Sequence, residues 1–109
     1  MSSFRFPNKD PDETLDYSVD WSRFLRQGTS MSQVIWFIIN ENGVKTRFDA
    51  GDTVNGLTTT AQNISSDGTV ATIFLSAGTV NTQYKLFCNM TDTRAISAER
   101  AITLRIKEQ

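Results

Sequence analysis

The chain has 109 residues, a formal net charge of -1 and a pI near 5.3. It contains no histidine and one cysteine, which excludes histidine acid–base catalysis, histidine-based metal sites, intrachain disulfides and multi-cysteine zinc sites. The near-neutral balance gives no basic field for nucleic acid, and the longest apolar run, Val34–Ile39, is far short of the roughly 20 residues that span a membrane as a helix.

One domain of this size can bury a sandwich core without staples. Met1–Arg5 has no apolar stretch like that of a signal peptide, and with the lone Cys88 this points to synthesis in a reducing cytoplasm. Serine and threonine are spread along the chain, as an all-β domain with solvated outer faces would use them.

Residues 1–13 hold both prolines, Pro7 and Pro11, and have no hydrophobic period. They read as an arm or leading strand, with Phe4 and Phe6 as anchors, ahead of a single sandwich domain over 14–109. Leu15, Tyr17, Val19 and Trp21 alternate with polar residues, the period of a strand with one wet face. Trp21, Phe24 and Leu25 then take helical spacing, so a single helical turn ending at Gly28 is expected. Gln33–Ile39 reads as a central strand with apolar residues on both faces. Asn40-Glu41-Asn42-Gly43 is a hairpin signal with Val44–Phe48 as the return strand, and Asp49-Ala50-Gly51-Asp52 is a further turn.

Val54–Ile64 is a strand region interrupted at Asn55-Gly56. Ser66-Asp67-Gly68 marks a turn, Thr69–Ser76 a strand, and Ala77-Gly78 its close. Thr82–Met90 alternates with Tyr84, Leu86, Cys88 and Met90 on one face. Asn89–Ala98 is expected to hold a polar loop around Thr91-Asp92-Thr93-Arg94. The last segment sets Ile102, Leu104 and Ile106 against Arg100, Thr103, Arg105 and Lys107. About seven short strands separated by turn signals predict an antiparallel immunoglobulin-like sandwich, with a jelly roll as the alternative. Trp36 is placed to be the core tryptophan, without the cysteine pair that usually flanks it.

The acids Asp10, Asp12, Glu13, Asp16 and Asp20 lack the spacing of a calcium loop and fit turn capping and a solvated strand face. No metal and no cofactor is implied. Cys88 lies in line with core residues and reads as a small buried hydrophobe. Serine and threonine have no base at a recognisable spacing, so no catalytic residue is assigned. Trp21, Phe24 and Leu25 either plug one end of the sandwich or anchor another subunit. The apolar surplus on Val34–Ile39 is met by a partner or by a covering loop.

The run Phe6-Pro7-Asn8-Lys9-Asp10-Pro11-Asp12-Glu13, followed by Leu15-Asp16-Tyr17-Ser18-Val19-Asp20-Trp21, resembles the start of a family of small tailed-bacteriophage virion proteins, the phage fiber–tail adaptor proteins. The resemblance continues in Gly51–Thr53, Val54–Thr58 and Ala71–Thr79, and ends in Ala98–Ile106. Family members often carry a Gly-Arg turn ahead of the Glu-Arg pair. Thr93-Arg94-Ala95-Ile96 departs from that pattern, so a contact through this loop does not carry over.

The resemblance implies a non-enzymatic structural component of the virion, linking a tail or head–tail complex to its fibers. Its partners would be other virion proteins, whether tail, head–tail or capsid subunits, with self-association in symmetric copies and no nucleic acid or membrane. Phe4, Phe6, Trp21, Phe24 and Leu25 are the candidate partner-binding residues. A capsid decoration or cement protein has the same size and make-up, and a carbohydrate-binding module for host attachment is a third reading.

Overall fold

The computed structural model describes residues 9–26 and 28–107, together with the backbone of residues 3–5. Among these lie nine strands: β1 (Ser3–Arg5), β2 (Leu15–Asp20), β3 (Met31–Ile39), β4 (Lys45–Arg47), β5 (Thr53–Val54), β6 (Leu57–Ile64), β7 (Val70–Ala77), β8 (Gln83–Asp92) and β9 (Ser97–Arg105). They form a five-stranded sheet, order β1-β9-β8-β3-β4, and a four-stranded sheet, order β2-β7-β6-β5. All pairings are antiparallel except β1 with β9, where Ser3 faces Ala101.

The two sheets form an all-β sandwich. The hairpins β3–β4, β6–β7 and β8–β9 stay within a sheet, while β2–β3 and β7–β8 cross between sheets. This is the strand order of the immunoglobulin fold. In a jelly roll, by contrast, successive strands alternate between sheets. The strands beyond the seven expected are β1 and β5, of three and two residues, too short to carry a period.

The alternating residues meet between the sheets. Tyr17 and Val19 come from β2, Trp36 and Ile38 from β3, Ala71, Ile73 and Leu75 from β7, and Leu86, Cys88 and Met90 from β8. Trp36 is 1% exposed and faces Cys88 across the β3–β8 ladder, so the strand tryptophan is in the core without a disulfide beside it. The Asn55-Gly56 interruption is a two-residue hairpin with φ of 48° and 84°, the left-handed pair this turn type demands.

Two expectations change. Thr91 and Asp92 belong to β8 rather than to a loop, and Asp92 is buried at 1% exposure. Its carboxylate receives the Arg94 side chain at 2.6 Å and the backbone N–H groups of Arg94 and Ile96 at 2.8 and 3.0 Å. Those bonds replace the water it loses. Arg100, grouped above with outward residues, pairs with Cys88 and so shares the inner side with Ile102 and Leu104. An inward arginine is tolerated there because it lies at the end of the sandwich over an aromatic ring, where its head can stay wet.

Both ends of the sandwich are closed by side chains. At one end the Tyr84 hydroxyl accepts the Thr79 N–H at 2.9 Å and donates to the Asn55 carbonyl at 2.5 Å, a tyrosine corner. Lys9 is buried beside it. Its ammonium donates to the carbonyls of Ala77 at 2.7 Å and Asp10 at 2.8 Å, and Lys9 bridges to Ile106. The segment read as an arm or leading strand thus contributes β1 to a sheet edge and Lys9 to this end.

Candidate functional site

The opposite end is built around the residues that follow β2. The Asp20 carboxylate accepts the Ser22 N–H at 2.9 Å, which holds that carboxyl below its ordinary value and turns the chain. Phe24 and Leu25 then donate their N–H groups to the Trp21 carbonyl at 2.9 and 3.0 Å, the single helical turn expected from their spacing. Gly28 carries φ of 83° after it.

The turn sorts its three apolar side chains. Trp21 is 1% exposed and Leu25 9%, and both belong to the core; Phe24 is 38% exposed. The Phe24 ring stands edge-on to Trp21, centroids 5.7 Å apart at 80°. Above Trp21 the Arg100 guanidinium lies 4.6 Å from the ring centroid. Arg100, Arg23, Asp20 and Ser22 line a hollow of about 320 Å³ beside the turn. Phe24 and this hollow are therefore the parts of the corner that a second molecule can touch.

The start of β1 reaches the same neighbourhood, since Ser3 pairs with Ala101, next to Arg100. Phe4 is a backbone position of β1 opposite Ile102, and Phe6 lies outside the described residues. Topology thus brings the β1 edge and the Trp21 turn to one region. No local sequence signal announced Arg100 as the link between them. Its inward parity is that of Ile102, Leu104 and Ile106, but its place over Trp21 depends on how the two sheets pack.

The acids near the N-terminus bond to the chain itself. Asp10 Oδ1 accepts the Asp12 N–H at 2.8 Å, and Glu13 Oε1 accepts the Asp10 N–H at 3.0 Å. Among the described residues no group of three or more acids and cysteine is disposed to hold a metal ion. Burial pushes the Cys88 thiol up to about 12, far from the thiolate a nucleophile needs. Tyr17 is likewise pushed up to about 12, by burial and then by Glu13.

The arrangement is that of a small immunoglobulin-like module whose distinctive groups lie on its surface. The family model of the podophage GP4 fiber-tail adaptor protein gp77 matches residues 9–105, nearly the whole chain, and the chain belongs to that family. It is accordingly a structural component of a phage virion. Comparison with curated proteins finds no match.

Proposed function

We propose that this protein joins a phage tail or head–tail complex to its fibers, acting by surface complementarity and without chemistry of its own. The family match over residues 9–105 carries this reading. The contact region is the β1 edge with Phe4 and Phe6 together with the Trp21–Leu25 turn. There Phe24 supplies the exposed ring, while Trp21 and Leu25 hold it in place from the core. An aromatic seated on a rigid, buried neighbour loses little freedom on binding, which favours its use as an anchor. The partners are tail and fiber proteins, and copies of the chain associate with one another in the symmetric setting of a tail. Synthesis takes place in the host cytoplasm and the working location is the virion.

Gold labelling of a tagged copy in intact particles tests the proposal. Label at the tail alone is the expected result. Label over the whole head would instead mark a capsid decoration protein and overturn the adaptor reading.

A further inference from the structure

The two outer faces of the sandwich carry opposite chemistry. Among the described residues, every lysine and arginine in a strand lies in the five-stranded sheet; β2, β5, β6 and β7 hold none. On the outer face of the five-stranded sheet, register sets Arg47, Phe37, Phe87 and Ala101 in one row. The next row adds Lys45 and Lys85, and Arg105 stands beyond it opposite Gln83. Two carboxylates lie among these cations, Glu99 against Lys45 and Asp49 at 3.0 Å from Arg47, which leaves the face net basic. The Lys45 ammonium sits 5.0 and 4.4 Å from the Phe37 and Phe87 ring centroids and 2.8 Å from Glu99. Ile35 and Ile39 extend this patch along β3, half-buried like the two rings.

The outer face of the four-stranded sheet answers it. Asp16, Phe74 and Ala61 form one row, Ser18, Thr72 and Asn63 the next, and Asp20 stands opposite Val70. A phenylalanine lies in the middle, carboxylates line the β2 edge, and the strands contribute no cation. Two basic faces brought together would repel, and so would two acidic ones. A basic aromatic face laid on an acidic one buries three rings and pairs the charges.

We infer that the basic, aromatic face of one copy docks on the acidic face of a second copy, head to tail. Such a contact uses two different patches of each chain, so it repeats around a ring or along a stack instead of closing as a symmetric pair. It gives a surface to the self-association proposed above, and it stands or falls separately from the tail location, which the labelling tests.

Sedimentation of the purified full chain at rising concentration, in low and high salt, tests the inference. Wild type should gain mass with concentration and lose it with salt, since exposed pairs are screened. Arg47→Glu with Lys85→Glu disables the basic face, and Asp16→Lys with Ala61→Lys disables the acidic one. Each double variant alone should sediment as a monomer, and an equimolar mixture should associate, because each retains the face the other lacks. Renewed association in the mixture also shows that both variants fold. The inference is overturned if wild type stays monomeric at every salt and concentration. It is equally overturned if either double variant still associates alone, which marks a symmetric contact through one face, or if the mixture stays monomeric.

Discussion

The two ends of the sandwich are closed by different chemistry. At the Tyr84 end, polar tips of buried side chains reach backbone groups far away in sequence: Tyr84 binds Asn55, and Lys9 binds Ala77, 68 positions on. At the Trp21 end, Phe24 packs edge-on against Trp21 with Arg100 over its face, and the buried charge, Asp92, is satisfied within its own hairpin by Arg94 and Ile96. Directional hydrogen bonds fix where segments meet and are expensive to lose singly. Ring packing fixes shape and leaves an outer ring, Phe24, available for a second surface. The first end is a lock, and the second supports a contact.

The largest effect should come from the ring-built end. Trp21→Ala removes the centre of the stack and opens a cavity under Arg100, at a cost of about 3–5 kcal/mol in denaturant unfolding. A cost below about 1 kcal/mol would mean that other side chains close that end. At the other end, Tyr84→Phe keeps the ring and removes one oxygen, stranding the Thr79 N–H and the Asn55 carbonyl. About 1–3 kcal/mol should be lost by the same measurement. An unchanged midpoint would show that water replaces the hydroxyl.

Titration should separate the ends by pH window, acid for Asp92 and alkaline for Lys9. Burial opposes ionisation of Asp92, but the Arg94 side chain and the Ile96 and Arg94 N–H groups outweigh it and hold the carboxyl below 3.8. The stability it brings is complete above pH 3.8 and fades as pH falls through the lowered folded value, where the unfolded chain binds more protons. Lys9 acts with the same sign in an alkaline window. Burial lowers its value from 10.5, against the opposing pull of Glu13, Asp10 and Asp12. Between the lowered value and 10.5 the unfolded chain again binds the extra proton, so stability rises with pH across that alkaline window. Thermal melts should show Lys9→Met abolishing the alkaline rise and Asp92→Asn flattening the acid loss. A Lys9→Met protein that keeps the full rise would place its origin elsewhere.

The smallest change in stability belongs to Phe24→Asp, about 0.5–1.5 kcal/mol, the worth of its edge-on pair with Trp21. The same variant should abolish incorporation into fiber-bearing particles. Normal particles would remove Phe24 from the contact.

Much of the fold was legible because its signals are local. The alternation in Leu15–Trp21 and Thr82–Met90 placed Tyr17, Val19, Tyr84, Leu86 and Met90 in the core, and Asn42-Gly43 marked its hairpin, while Asn55-Gly56, read as an interruption of one strand, is a hairpin between two. The helical spacing of Trp21, Phe24 and Leu25 likewise located the corner, although which ring would stay exposed depended on Arg100 and β9. What escaped is non-local. Period placed the Tyr84 ring inside but said nothing of a hydroxyl partner 29 residues away. Nothing local marked Lys9 for burial, since Ala77 is distant in sequence. Asp92 looked like loop chemistry because its satisfying groups come from the turn that follows it. The charge difference between the two sheets was present in the residues, yet it acquires meaning only when sheet order assigns each strand to a face.

The burial of Lys9 also makes the chain a chemical clock. Lys45, Lys85 and Lys107 are exposed residues, Lys45 in a surface ion pair with Glu99, while the Lys9 amine is enclosed between two carbonyls. An amine-reactive reagent should modify the first three at once and Lys9 only when the segment ahead of β2 lifts away, so the lag at Lys9 times that release. In assembled particles the same reagent reads a second event, because any subunit seated on the outer face of the five-stranded sheet shields Lys45 and Lys85 and leaves the Lys9 lag unchanged.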